Sequence, residues 1–225
     1  MTTPKWPPGD GSSRSRAPGR GARICCRAAP IRHTEPVWVI TALAEIGILA
    51  WAGFEFVLRR RSDSETGSWT DSGSDHGSTR ILVLSFLGCV AIASLAAVFN
   101  VAQIGVVWRI IALAGLVAGL ALRAWGMAVL DRQYTRTVRS IQDHQLVTAG
   151  PYSVIRHPGY AGSIVVWAAY AFALGSWLAG IVVFAVLMAA YGYRVRTEER
   201  LLTGVFGERY RAYQRRTSRL VPFVY

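Results

Sequence analysis

The chain has 225 residues, of which 52% are hydrophobic and 17% are charged, and its formal net charge is +12. Long uncharged runs at this hydrophobic content indicate an integral membrane protein rather than a soluble domain. The positive charge comes almost wholly from arginines that flank the apolar runs, so we attribute it to membrane topology and expect no nucleic-acid partner. The three cysteines show no metal-ligand spacing, and we expect neither a disulfide framework nor a metal site.

The first half of the chain divides into a polar tail and three apolar runs. Residues 1–36 are rich in Pro, Gly, Ser and Arg without apolar periodicity, which predicts a disordered basic tail. No signal-peptide hydrophobic region precedes the first apolar run, so we expect the apolar segments to be retained. The runs at 37–58, 81–99 and 106–130 are long enough to cross a membrane, and the Ser/Gly/Asp segment at 62–79 predicts a disordered linker.

Three of the ionisable residues within these predicted spans lie away from the start of a span. They are Glu45, Glu55 and Arg123. An ionisable side chain at membrane depth is by default a candidate for function. We favour a structural interpretation, in which Glu55 lies at the interface beside the arginines at 59–61 and Glu45 pairs with another helix. Arg123 is then the natural partner for either glutamate.

A polar stretch at 144–162 interrupts the second half of the chain and reads HQLVTAGPYSVIRHPGYAG. Pro fixes φ and lacks an N–H, while Gly admits positive φ, so the Gly-Pro and His-Pro-Gly steps break any helix or strand. The stretch also contains two tyrosines, an arginine and a histidine close to these breaks. A rigid, irregular backbone carrying such side chains is suited to bind a ligand, although it is also compatible with an ordinary connecting loop.

The apolar run at 160–193 is too long for one ordinary helix, and Gly-Ser-Trp at 175–177 interrupts it. This pattern predicts a helical hairpin with short arms. Beyond it the chain becomes basic and amphipathic, which predicts C-terminal helices. Arg194 and Glu198 are four residues apart and therefore share a helical face. Because the hairpin folds back on itself, we expect this face to meet the 144–162 stretch.

Basic residues are unequally distributed between the two sides that an odd number of spans implies. One side would carry sixteen Lys and Arg residues, in 59–80, 131–160 and 194–225, and the other side would carry the seven of the N-terminal tail. Cytoplasmic loops are enriched in Lys and Arg. We therefore expect a cell-membrane protein whose 144–162 stretch and C-terminus lie in the cytoplasm.

A resemblance to a known family rests on an ordered pair of motifs, GPYxxxRHPxY followed by YRxxxEE, with FGERYRAY and RLVPF further on. Over 144–223 the sequence resembles the isoprenylcysteine carboxyl methyltransferase family, which itself resembles the phospholipid N-methyltransferases. The upstream runs match only in being apolar. The resemblance implies an integral membrane enzyme that transfers a methyl group from S-adenosylmethionine without a Rossmann domain. The chain has no GxGxxG after a strand, which is consistent with that expectation.

The resemblance also implies roles for individual residues. Arg194 would face the methyl acceptor, and Glu198 would contact the cofactor. The rest of the cofactor pocket would be formed by the following residues: His144, Gln145, Leu146, Val147, Tyr152, His157, Pro158, Gly159 and Tyr160.

The chemistry of these residue types favours a carboxylate as the methyl acceptor. A carboxylate is already ionised at neutral pH, so its methylation needs orientation and exclusion of water rather than a general base. Arg194 can hold a carboxylate with two parallel hydrogen bonds, whereas it would repel a cationic amine. We expect a lipophilic or lipidated acceptor reached from the membrane lipid. Two alternatives remain open: an NADPH-dependent membrane sterol reductase, and a non-catalytic membrane module of the same fold.

The sequence thus predicts an all-α integral membrane protein of about five transmembrane helices, including a C-terminal helical hairpin. Its expected regions are the tail at 1–36, three transmembrane helices with a linker at 37–130, and a methyltransferase region at 131–225. That last region would contain the cytoplasmic cofactor-binding loop, the hairpin and the C-terminal helices.

Overall fold

A computed structural model describes residues 35–66, 77–130 and 146–222, and their architecture is helical. Within these ranges no strand is present, and two isolated β-bridges join separate loops. A short 3-10 helix spans Gly150–Ser153. The α-helices are α1 (Glu35–Thr66), α2 (Ser78–Val98), α3 (Val106–Leu130), α4 (Pro158–Ala173), α5 (Trp177–Phe206) and α6 (Glu208–Gln214).

In the part of the chain that the structure describes, four helices are long and apolar enough to cross a membrane: Val37–Val57 within α1, then α2, α3 and α5. The fifth predicted crossing is α4, whose 16 residues span roughly 24 Å at 1.5 Å per residue. This is shorter than the hydrocarbon thickness of about 30 Å. The all-α membrane fold and the α4–α5 hairpin are confirmed, and α4 is the short arm of that hairpin.

The first helix is longer than its apolar run. It continues to Thr66, past the predicted end at residue 58 and into the predicted linker at 62–79, while α2 already begins at Ser78. Arginine is a good helix former and residues 59–66 contain no Gly or Pro, so the helix need not stop where the apolar residues stop. Residues 67–76 and 1–34, which hold the rest of the linker and most of the predicted tail, lie outside the described residues.

Helix α4 is buried along almost its whole length and packs between α3 and α5. Two glycines allow the closest approach between α3 and α4. A Cβ built on Gly162 would lie 2.7 Å from the carbonyl oxygen of Gly119, and a Cβ on Gly119 would lie 2.9 Å from that of Gly162. Small residues at such a crossing bring the helix backbones together, which is the usual way for helices to associate in a membrane.

Contacts between different helices and loops occur at both ends of the helical unit. At one end, the main chain of Ile104 donates to Gly175 O and that of Trp177 donates to Ala102 O, which joins the α2–α3 connection to the α4–α5 turn. At the other end, the Arg194 guanidinium contacts Ser78 at the start of α2. All of the candidate site residues in the described ranges lie toward this second end.

The ionisable residues within the spans have well-defined partners. Arg123 is buried and its Nη2 donates to Glu55 Oε2, so the expected pairing of Arg123 with a glutamate is confirmed. The side chain of Glu55 is buried against α3, two residues before the end of the candidate span, and its position at the membrane interface stays a prediction. Glu45 pairs with α4, where the hydroxyl of Tyr170 donates to its Oε1 at 2.8 Å.

Candidate active site

The loop before α4 is shaped by its glycine and prolines. Gly150 has φ +59°, a conformation that favours glycine, and Pro151 starts the 3-10 helix. Pro158 occupies the start of α4, where its missing N–H costs no hydrogen bond. The loop is held by the C-terminal segment, because Arg156 N donates to Ser218 O at 2.8 Å and Ser218 N donates to Val154 O at 3.0 Å.

Three aromatic rings converge at the first turn of α4. The ring of His157 stacks on that of Tyr160, with centroids 5.6 Å apart and an interplanar angle of 1°. Tyr160 in turn contacts Tyr191 of α5 at a centroid distance of 4.8 Å. The Tyr160 hydroxyl donates to Glu198 Oε1, which links this stack to the charged residues of α5.

The predicted pair on α5 is an ion pair that is largely removed from solvent. Arg194 Nε donates to Glu198 Oε1 at 2.6 Å, and the side chains are only 10% and 15% exposed. Arg194 Nη1 also donates to Ser78 Oγ at 2.8 Å and to Thr79 Oγ1 at 3.1 Å. The guanidinium is therefore held by side chains of two helices, α5 and α2. In an ordinary solvated i,i+4 pair, by contrast, both partners lie on one helix and are exposed to water.

The next residue, Glu199, was missed by the sequence reasoning. Its Oε1 accepts from Arg156 Nε at 2.7 Å and its Oε2 accepts from Arg219 Nε at 2.9 Å. Its carboxylate thus ties the loop before α4 to the C-terminal segment. The signal was present as the second glutamate of the YRxxxEE motif. Successive side chains on a helix point about 100° apart, so this glutamate can reach partners that Glu198 does not.

Between these two glutamates lies His157. Its Nδ1 is 3.7 Å from Glu198 Oε2 and its Nε2 is 3.6 Å from Glu199 Oε1. The Nε2 atom is buried and has no hydrogen-bond partner among the described residues. A buried polar atom without a partner is costly, so it marks a position where a bound ligand could supply the missing contact.

Tyr152 is buried against α6. Its carbonyl oxygen accepts from the hydroxyl of Tyr213 at 2.6 Å. Burial raises the pKa of Tyr152 to about 12, with the nearby Arg123 lowering it and Glu198 raising it further. The phenol is therefore neutral at physiological pH, which suits a wall of the site rather than an acid or base in it.

The structure brings together four of the predicted site residues: His157, Tyr160, Arg194 and Glu198. Pro158 and Gly159 are buried in the first turn of α4 beneath them, and Leu146 and Val147 are half-buried in the extended segment before the 3-10 helix. His144 and Gln145 lie outside the described residues.

This set of residues has the chemistry expected for a cationic cofactor. Among the described residues no three His, Cys, Asp or Glu side chains are grouped to hold a metal ion. Aromatic faces and a carboxylate, by contrast, suit the sulfonium and ammonium groups of S-adenosylmethionine, and the unpartnered His157 Nε2 provides a polar contact. The residues present thus fit this cofactor.

Comparisons with known proteins point to one family. The model of the isoprenylcysteine carboxyl methyltransferase (ICMT) family matches residues 110–204. A protein-S-isoprenylcysteine O-methyltransferase of Schizosaccharomyces pombe is 27% identical over 206 residues, which cover 84% of this chain and 87% of that protein. Protein-S-isoprenylcysteine O-methyltransferase B of Arabidopsis thaliana is 30% identical over 111 residues, 48% of this chain and 56% of the plant protein.

The fold is also similar to that of a solved protein. A solved structure of the eukaryotic intramembrane Ras methyltransferase ICMT (isoprenylcysteine carboxyl methyltransferase) matches with a TM-score of 0.65 at 19% identity, covering 84% of this chain and 68% of that one. The resemblance indicated by the paired motifs is confirmed, because this chain is similar in sequence and in fold to proteins named as isoprenylcysteine carboxyl methyltransferases.

Proposed function

We propose that this chain is an S-adenosylmethionine-dependent membrane methyltransferase that methylates the carboxylate of a lipophilic acceptor. The names of its relatives point to an isoprenylated cysteine as the acceptor class. The observation that carries the proposal is the largely buried Arg194–Glu198 pair, which lies against the His157–Tyr160 stack beside apolar helices. A charged site in that position can receive a polar cofactor and an apolar acceptor together.

In the proposed reaction the acceptor carboxylate meets the guanidinium of Arg194. That guanidinium is already oriented by Glu198 and by the hydroxyl of Ser78, so little side-chain freedom is lost when the carboxylate binds. Bound S-adenosylmethionine would supply an electrophilic methyl group on a sulfonium. The carboxylate held by Arg194 would accept this methyl group, and the sulfur would keep the electron pair of its bond to carbon. No proton moves, so no base is required.

The remaining residues bind and orient. Glu198 can pair with the ammonium of the cofactor, and the rings of Tyr160 and Tyr191 can face its sulfonium through cation–π contacts. Burial of the site excludes water, which strengthens each of these charge contacts. Both reactants are charged where they meet the protein. The chain would therefore accelerate the reaction by orienting the reactants and by stabilising their charges.

We further propose that the chain resides in the cell membrane and that its site faces the cytoplasm. The unequal distribution of basic residues supports this orientation. The structure adds that Ser78, Glu198 and the loop before α4 lie at one end of the helices. This supports placing the site on the same side as the basic C-terminal segment, which follows α5 at that end.

The test uses purified protein, methyl-labelled S-adenosylmethionine and a farnesylated cysteine with a free carboxylate. The expected product is a base-labile methyl ester, and the carboxamide of the same compound should gain no label. Label transferred instead to phospholipid amines in added membranes would overturn the carboxylate assignment. No label in any fraction, together with no binding of S-adenosylhomocysteine, would favour the sterol-reductase or non-catalytic alternatives.

Two substitutions separate the proposed roles on α5. Arg194→Lys keeps the charge but loses the planar pair of donors, so transfer should fall by about 10²-fold while S-adenosylhomocysteine affinity hardly changes. Glu198→Gln should weaken S-adenosylhomocysteine binding first, and activity should follow. Equal loss of cofactor affinity in both variants, measured by calorimetric titration, would show that the two residues act on one ligand.

A further inference from the structure

A second buried charged group lies next to the site and takes no part in the proposed reaction. Arg123 is 3% exposed and lies within α3, a candidate membrane span. Its Nη2 donates to Glu55 Oε2 of α1. Its Nη1 donates to Gly159 O at 2.8 Å and to Ser163 Oγ at 2.7 Å, both in the first turns of α4. One guanidinium thus joins three helices.

The contacts around Arg123 support one another. Ser163 Oγ donates to Gly159 O at 3.1 Å and accepts from the indole nitrogen of Trp51 at 3.2 Å. The guanidinium carbon of Arg123 also lies 5.8 Å from the centroid of the Trp51 ring. Glu55 and Trp51 both belong to α1, so this helix contacts the start of α4 directly through the Trp51 hydrogen bond and indirectly through the ion pair with Arg123 of α3.

The position of this network gives it a link to the site. Gly159 lies between His157 and Tyr160, the stacked residues of the site. A hydrogen bond on its carbonyl fixes the turn from which both side chains project. The hydroxyl of Tyr160 then contacts Glu198 on α5. A small rotation of this turn would therefore move two site residues at once.

Stability alone is a weak reason for a charged pair at this depth. Charged side chains within a membrane span are costly, and a buried ion pair can often be replaced by apolar residues without loss of stability. The hydrogen bonds of Arg123 are instead directional and converge on one turn. Such geometry is suited to hold a backbone segment in a single orientation.

We propose that the Glu55–Arg123 pair positions the methyl-transfer site by fixing the first turn of α4, a proposal that rests on the function given above. Both residues act through Gly159 and do not touch the reactants. The proposal assigns a role to α1, although the family model matches only residues 110–204 and so does not include it. A helix outside the motif region would then contribute to catalysis.

The first test compares Glu55→Gln with Glu45→Gln. Both glutamates lie on α1 and both bond to another helix, but Glu45 contacts Tyr170 of α4, about three helical turns beyond Gly159. Turnover should fall by about tenfold or more in Glu55→Gln and stay within twofold of wild type in Glu45→Gln. Equal turnover in the two variants would overturn the proposal.

A second variant separates positioning from folding. Glu55→Leu combined with Arg123→Met removes both charges of the pair together, so neither is left without the other and its thermal midpoint in detergent should match that of wild type. Positioning predicts that its turnover stays at least tenfold low. Turnover that recovers along with the thermal midpoint, or a midpoint that falls by more than about 10 °C, would show a purely structural role and overturn the proposal.

Wild-type protein in the same assay keeps the two proposals distinct. If wild type transfers no methyl group, the proposed function fails. If wild type is active and the double variant is equally active, only the positioning role fails. Affinity for S-adenosylhomocysteine, measured on every variant, reports whether His157 and Tyr160 still form the cofactor side of the site.

Discussion

Replacement of Glu199 by glutamine tests how the C-terminal segment holds the site together. Glu199 is buried, and its carboxylate accepts one charged hydrogen bond from Arg156 and another from Arg219. Glutamine has almost the same size but no charge, and it offers one acceptor oxygen in place of two. Arg156 is then left with its main-chain partners in the C-terminal segment but without a counter-charge.

The size of the effect follows from the burial of each partner. A hydrogen bond to a charged group contributes about 1.5–3 kcal/mol when it is buried, which applies to Arg156. The side chain of Arg219 is 34% exposed, so solvent screening reduces its contribution to about 0–1 kcal/mol. The expected loss is about 1.5–4 kcal/mol. In a protein of this size that corresponds to a fall of about 3–16 °C in the thermal midpoint.

The assay is thermal unfolding in detergent, combined with hydrogen exchange. The main-chain N–H groups of Arg156 and Ser218 bond across the loop and the C-terminal segment, so they should lose protection in Glu199→Gln. Glu208→Gln is the matched control, because Glu208 pairs with Arg211 on an exposed face. A Glu199→Gln midpoint within about 2 °C of wild type, with protection unchanged, would refute this account of the segment.

Three further predictions concern packing, the site and topology. Gly162→Ala should lower the thermal midpoint by the equivalent of about 1–3 kcal/mol because its Cβ meets the α3 backbone, whereas Gly88→Ala, with open space around it, should not. Ser78→Ala should reduce methyl transfer by removing a partner of Arg194, while Ser85→Ala on the same helix should leave it unchanged. Reporter fusions should place the C-terminus in the cytoplasm and the N-terminus outside. A C-terminal reporter active only outside the cell would contradict this orientation.

Local features of the sequence determined much of this protein. Apolar length predicted the membrane helices, and Gly-Ser-Trp at 175–177 predicted the turn between α4 and α5. The i,i+4 spacing of Arg194 and Glu198 predicted their contact, because helical geometry places such residues side by side whatever surrounds them. The predicted hairpin folds the face of Arg194 and Glu198 back toward the loop before α4, which predicted that this loop would meet α5. Each of these inferences needs only the period of a helix or the preferences of Gly and Pro.

Only the tertiary structure decided which side chains on different helices and loops become hydrogen-bond partners. Glu198 and Glu199 are adjacent, yet one bonds to Arg194 and the other to Arg156 and Arg219. Helix periodicity shows that they point in different directions but not which direction faces the loop. That choice depends on how α5 is rotated against its neighbours, which is set by the packing of the whole unit.

Contacts between residues far apart in the sequence also depend on how the helices pack. Ser78 reaches Arg194 across 116 positions of the chain, and Glu55 reaches Arg123 across 68. The apolar pattern of α1 and α2 indicates that they are membrane helices, because a segment in lipid must satisfy its backbone hydrogen bonds internally. It does not fix their register or their order around α4. Those depend on close contacts such as the crossing at Gly119 and Gly162, which exist only once the helices have packed.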